Sequence, residues 1–265
     1  MRSRWLFMRP VRNEVSMMRK KFILFIVEGY NDEMEINAML HSPWFDNYRL
    51  LYEPYFYHTN GDVLLSQIRL RNKRVKVTAD NVLSAIDNII QDFRKTSGPY
   101  SNIRVSDIQE VVQITDTDGT FIPKYSVIRD DEYVYATYFD NWIKINNVDG
   151  IVGRNRRKAD IIRRLLQVKQ IGGIPYSLYY VSCNMDHVLF NDGNLSREAK
   201  KNKSKEFALT CRKDPGYLSQ SLFKSGIMAN GSYEESWEEI QGGLNSLGRY
   251  TNFNLFFTDK AKNPK

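Results

Sequence analysis

The chain has 265 residues, 42% hydrophobic and 26% charged, the balance of an ordinary globular protein with room for one large core or two small ones. A formal charge of +7 favours an anionic partner, and the two cysteines, Cys183 and Cys211, exclude a disulfide framework and a cysteine zinc site. The longest apolar run, Phe22 to Val27, is far short of the roughly 20 residues a membrane span needs, so the expected setting is a reducing cytoplasm.

Residues 1–18 alternate basic and apolar without a signal-peptide core and are expected to form a separate basic arm; Met17 or Met18 is an equally good start. Phe22–Val27 then reads as a strand buried on both faces. Glu28 and Gly29 end it, and from Asn31 the residues favour a helix, with Asp32 able to cap it and Ile36, Met39 and Leu40 facing a core. This order leaves Glu28 at the strand's carboxyl end, where open α/β sheets place their ligands.

Pro43 marks a turn, and the aromatic stretch Tyr48 to His58 predicts a second strand interrupted at Pro54. Asn60-Gly61-Asp62 is a turn signal, with a short helix expected through Val63, Leu64 and Ile68. Asp80 can cap the next helix, in which Val82, Ile86, Ile89, Ile90 and Phe93 recur at helical spacing until Ser97-Gly98-Pro99. Glu110 to Phe121, EVVQITDTDGTF, gives another apolar strand ending in Asp116-Thr117-Asp118 and a glycine. Alternate residues at a strand end point to one side, so Asp116 and Asp118 project together. Two like charges this close call for a cation, and hard carboxylates suit Mg²⁺.

Strand-V-E-G-x-x-D followed later by strand-D-x-D resembles the Toprim domain of primases, topoisomerases and OLD-family nucleases. In that family the glutamate serves acid/base chemistry or metal binding and the aspartates hold Mg²⁺. The resemblance implies those catalytic roles for Glu28, Asp116 and Asp118. Glu28 and Asp32 match the E-x-x-x-D form of OLD-like nucleases, so Asp32 joins the implied metal ligands. The long gap between the motifs departs from the compact family domain and implies an insertion.

Beyond the aspartates, the aromatics of 130–148 either pack as core or line a base-stacking groove. Arg154 to Lys169 is an amphipathic helix with a basic start, whose Arg156, Arg157 and Lys158 form either a phosphate-binding face or a solvated one. A strand through Val181 leads to Ser182, and Asp186 opens another helix. That segment is similar to one in OLD-like and RloB-like proteins, with aspartate where glutamate is usual. The resemblance implies an extra metal ligand at Asp186 with Ser182 beside it, while the plain reading is a helix cap and a strand end. His187 is a phosphate contact, a proton carrier or a packed histidine.

Lys200, Lys201, Lys203 and Lys205 lie in a basic stretch; OLD-like nucleases use a lysine after the acidic cluster, and spacing does not choose among these. Asp214 to Phe223 reads as helix, and Tyr233, Trp237, Ile240, Leu244 and Leu247 make one helical stripe closed by Gly248. The end, with its Thr251-Asn252 turn before an apolar segment, again resembles RloB-like proteins.

The expected fold is α/β: a Toprim-like parallel sheet flanked by helices, with an insertion, spanning 19–190, and a basic, mainly helical extension over 191–265. The resemblance implies a Mg²⁺- or Mn²⁺-dependent nuclease of anti-phage defence. Its phosphate surface would include Arg156, Arg157, Lys158, Lys200, Lys201 and Lys203. The alternative is a catalytically inert nucleic-acid or nucleotide-binding subunit. DNA or RNA is the expected partner, an oligomer is compatible, and any ATPase must be a separate chain because no Walker-A pattern occurs.

Overall fold

The computed structural model describes residues 21–41, 52–70, 73–96, 103–214, 216–223 and 226–261. The basic arm of 1–18, the turn at Pro43 and the stop at Ser97-Gly98-Pro99 lie outside the described residues. In chain order, β1 (Phe22–Val27) leads to α1 (Tyr30–Leu40) and β2 (Glu53–His58), and β3 (Gln67–Leu70) pairs with β4 (Lys73–Lys76) before α2 (Val82–Thr96). β5 (Ile108–Asp116) follows, then a small sheet of β6 (Val127–Arg129), β7 (Thr137–Tyr138) and β8 (Ile143–Ile145), and then α3 (Val148–Leu166). β9 (Gln170–Ile171) and β10 (Ile174–Val181) precede α4 (Met185–Phe190), α5 (Arg197–Lys213), α6 (Tyr233–Ile240) and α7 (Asn254–Ala261).

The main sheet has the order β2-β1-β5-β10-β9, parallel except for the short β9 on its edge. All six residues of β1 are buried, because helices cover both faces of its position beside the sheet's centre. Alternation along the strands sorts the core. Ile23, Phe25 and Val27 pack with Val112, Ile114 and Tyr179 under α1, α5 and α7, while Leu24 and Ile26 pack with Val111, Leu178 and Tyr180 under α2, α3 and α6. Phe207, Phe253 and Phe256 therefore put the helical extension into the same core as β1. Pro54 sits on the edge strand β2, where its missing N–H costs little.

Three local expectations are corrected. Asp32 is not the residue before α1; Gly29 is, and the Asp32 carboxylate accepts from the Gly29 N–H at 2.8 Å from inside the first turn. Only Val63–Leu65 is helical after the Asn60-Gly61 turn. Ile68 lies in β3, because the Ser66 hydroxyl closes the turn on Val63 and the Val77 N–H captures the Ser66 carbonyl, drawing the chain into a hairpin. The stripe from Tyr233 to Leu247 is also not one helix. α6 ends at Ile240, Gly243 takes a left-handed φ of 50°, and Leu247 belongs to a different core, that of the small sheet with Ile122, Val127, Ile143 and Ile145. In the small sheet the aromatics divide: Tyr133 and Phe139 meet edge to face, whereas Tyr135 is 83% exposed.

Candidate active site

The register of the sheet aligns strand ends. Val27 pairs with His58 on one side, and Val181 pairs with Asp116 two strands away, so Glu28, the turn after His58, Asp116 and Ser182 share one rim. Thr117 turns inward there. Its hydroxyl donates to the Ser246 carbonyl at 2.8 Å and accepts from the Cys183 N–H at 2.8 Å, which leaves Asp116 and Asp118 on the rim's outer side. Asp118 takes a left-handed φ of 51°, tolerable for aspartate, and Gly119 follows at 67°. A Cβ on Gly119 would stand 2.8 Å from Leu247 and 2.9 Å from Ile143, so only glycine lets this loop lie against the small sheet.

Asp118 is fully engaged. Its Oδ1 accepts from the Tyr138 hydroxyl at 3.0 Å, its Oδ2 accepts from Lys158 Nζ at 2.6 Å, and its main-chain carbonyl accepts from Arg154 at 2.8 Å. The same Lys158 ammonium stands 2.7 Å from Asp62, and its side chain has no exposed surface. Asp62 meanwhile holds the turn after β2, accepting from the Leu64 N–H at 2.8 Å. Lys158 thus ties the loop after β2 to the loop after β5. Arg154 and Lys158, four residues apart on α3, present both charges from one helical face.

These contacts divide the acids. Burial pushes the Glu28 carboxyl well above the usual range, and Asp116 and Asp62 push it further against the pull of Lys158. Asp116 is raised likewise by burial, then by Asp118 and Asp32. For Asp118 burial acts upward too, but the Lys158 and Arg154 charges outweigh it and the carboxyl falls below its ordinary value. Lys158, though buried, is raised by Asp118 and Asp62.

A second group adjoins the first. Asp186, in the first turn of α4 behind the Asn184 cap, pairs with Lys200 of α5. Burial, with Asp186 adding, raises Asp32 to about 6. Burial also raises Glu35, on the buried face of α1, to about 8 although the Ser204 hydroxyl donates to it at 2.6 Å. On the far side of α1, Glu33 pairs with His58. His58 and Asn60 also line a cavity of about 590 Å³ between the end of β2 and α2.

The structure therefore brings Glu28, Asp116 and Asp118 together, with Asp32 and Asp186 in a flanking group. The basic residues separate. Lys158 does not join an outward phosphate-binding face, because it falls in register with the buried Ile161, Ile162 and Leu165 and points into the acids. Arg157 reaches the Leu65 carbonyl at 3.5 Å, and Arg156 alone of the three is exposed. On α5, Lys200 turns to Asp186 and Lys203 lies over the Phe190 ring, while Lys201 and Lys205 face outward. Ser182 follows Val181 on the same rim as Asp116, but its buried hydroxyl donates to the Asn245 carbonyl at 2.7 Å and so serves as a structural link. His187 donates its N–H to the Asn184 side chain, and burial, with Arg249 adding, lowers its ring pKa.

Asp62, Tyr138 and Glu35 belong to no motif that marks them as site residues, and Arg154 stands out in the sequence only as the start of the basic run. Asp62 had a usable signal: it follows a strand end beside β1, by the same logic that singles out Glu28. Lys158 had one as well, since Lys158, Ile161, Ile162 and Leu165 keep the spacing of a single buried stripe.

A divalent cation suits the Glu28–Asp116 side. Both donors are hard oxygens; burial and neighbouring carboxylates raise both, Asp116 acting on Glu28 and Asp118 on Asp116, and Glu28 Oε1 is buried with no hydrogen-bond partner among the described residues. Among the described residues no three His, Cys, Asp or Glu side chains are grouped to hold a metal ion. Two carboxylates are enough for Mg²⁺, which keeps waters and takes substrate phosphates as its other ligands.

Comparison with family models, curated proteins and solved structures gave no match for this chain. Fold and site together define a mixed α/β protein, its mostly parallel sheet flanked by helices, with half-buried acids gathered at the carboxyl rim. No helix among the described residues is long and apolar enough to cross a membrane.

Proposed function

We propose that the chain is a Mg²⁺- or Mn²⁺-dependent nuclease that hydrolyses phosphodiester bonds in DNA or RNA. The observation that carries this reading is the Glu28–Asp116 pair: two half-buried carboxylates on adjacent parallel strand ends, beside a Lys158 ammonium that is already engaged by Asp62 and Asp118. Glu28 and Asp116 would hold the ion, with Asp118 behind them. When bound, the ion supplies the positive charge that phosphoryl transfer requires. Tyr138, Arg154 and Lys158 fix Asp118 in one orientation, and Lys200, with 35% of its side chain exposed, offers a cation toward solvent on the Asp186 side. The resemblance to OLD-like and RloB-like proteins adds an antiviral setting and a separate ATPase partner.

One observation favours a second reading. Lys158 neutralises Asp118 and Asp62 without any metal, as a permanently assembled binding subunit would require. The two readings separate when the purified chain is incubated with single- and double-stranded DNA and total RNA in Mg²⁺, Mn²⁺ or EDTA. The nuclease reading predicts metal-dependent cleavage that Glu28→Gln abolishes while nucleic-acid binding persists. Binding without cleavage by the unaltered protein in either metal would favour the inert subunit.

A further inference from the structure

The loop that carries Asp116 and Asp118 has a second side. A cavity of about 250 Å³ lies against its continuation, lined by Thr120, Phe121 and Lys124 from the loop and by Asn155, Arg156 and Arg163 from α3, and by no acid among the described residues. α3 serves both sides. Arg154 and Lys158 face the acids, whereas Val152, Arg156, Ala159 and Arg163 follow at spacings of four, three and four on another face. Asn155 joins the two sides: its Nδ2 donates to the Gly119 carbonyl at 3.0 Å, and its Oδ1 accepts from Arg154 at 2.8 Å.

Asn155 and Arg163 have protein partners, whereas one buried hydroxyl of this cavity has none among the described residues. Thr120 is only 4% exposed, and its buried hydroxyl has no hydrogen-bond partner among the described residues. Buried hydroxyls without partners are costly and call for an explanation. Among the described residues Lys124 and Arg156 make no ion pair. Arg163 is loosely held, 3.5 Å from Asp160 and 3.2 Å from Gln241, with its guanidinium over the Phe121 ring at 5.8 Å. Solvated surface arginines would explain the charges but not the buried hydroxyl among them.

We propose that this cavity binds a phosphate group: Thr120 donates to one oxygen, and Lys124, Arg156 and Arg163 supply the charge. Its size falls below the roughly 300–1,000 Å³ that encloses a drug-sized ligand and suits a phosphate with the start of its ester. Two sources share this chemistry. One is a backbone phosphate of a strand lying across the acids, which rests on the nuclease reading; the other is the phosphate of a free nucleotide, which does not.

The test is binding by the full chain in EDTA, where cleavage plays no part, with inorganic phosphate, AMP and a labelled single-stranded oligonucleotide as probes. Thr120→Val should melt at or above the wild-type temperature in plain buffer, because it removes an unpartnered hydroxyl. It should bind inorganic phosphate about tenfold more weakly. Arg156→Gln, at an exposed position, should fold normally and weaken phosphate binding by about as much. If the same variants lose oligonucleotide affinity, the source is a strand phosphate; if they lose only AMP affinity, it is a free nucleotide. No phosphate binding by the wild type, or equal binding by both variants, would overturn the proposal. A protein that binds phosphate here yet never cleaves nucleic acid would leave this inference standing and remove the nuclease reading alone.

Discussion

Lys158 and Lys200 both reach into one strip of acids, from α3 and α5, under opposite conditions. Lys158 is wholly enclosed and bonded to carboxylates of two different loops, whereas Lys200 keeps 35% of its side chain in solvent and pairs with Asp186 alone. The first is a fixed internal charge whose removal strands two buried carboxylates. The second is a cation that water can replace. The same contrast divides the two aspartates of the D-x-D motif: Asp118 is neutralised by the fold, while Asp116 is raised and keeps a demand for positive charge.

The largest expected effect follows from that enclosure. Lys158→Met should cost about 3–5 kcal/mol in a urea titration, the usual consequence of removing one partner of a buried pair. Lys200→Met should cost under about 1 kcal/mol, because solvent screens its pair. Similar losses for both lysines would erase the comparison.

Next come the aspartates. Asp118→Asn leaves Lys158 and Arg154 without their main counter-charge and should destabilise by about 3 kcal/mol. Asp116→Asn relieves repulsion with Glu28 and Asp118 and should raise the melting temperature at pH 7. The sequence motif alone predicts that both substitutions relieve repulsion, so opposite signs in thermal melts would sharpen the distinction that Lys158 imposes.

The flanking group gives a pH-dependent test. Glu35 titrates near 8 in the fold against about 4.5 unfolded, so between those values the native state holds a proton that the unfolded chain has lost. Wild-type stability should therefore fall as pH rises through this window. Glu35→Gln should be nearly neutral at pH 5 and more stable than wild type at pH 9, by on the order of a few kcal/mol, in urea titrations at the two pH values.

The smallest effect concerns the outward lysines of α5. Replacing Lys201 and Lys205 by alanine should leave stability unchanged and reduce the slope of log affinity against log salt for an oligonucleotide by roughly one to two units. An unchanged slope would make that face merely solvated.

The parallel sheet and the three principal acids could be read from the sequence because the signals are local. An unbroken apolar run ends in an acid, and alternation along a strand places Asp116 and Asp118 on one side. The run of basics around Lys158 suggests an outward face, although its spacing to Ile161, Ile162 and Leu165 puts it on the buried stripe. Tyr138, in β7, and Asp62, in the turn after β2, are distant in sequence from Asp118; the small sheet brings the first to it and Lys158 of α3 ties in the second. The break in the stripe from Tyr233 to Leu247 depends on two glycines between residues that serve different cores, which hydrophobic periodicity does not register.

The central claim is that Glu28 and Asp116 form the part of the strip that requires a divalent cation. Calorimetric titration of Mg²⁺ and Mn²⁺ into the wild type, Glu28→Gln and Asp116→Asn at pH 7.5 tests it most directly. The account predicts saturable binding by the wild type that each substitution abolishes or weakens by at least about tenfold. No binding by the wild type, or equal affinity in all three proteins, would contradict it.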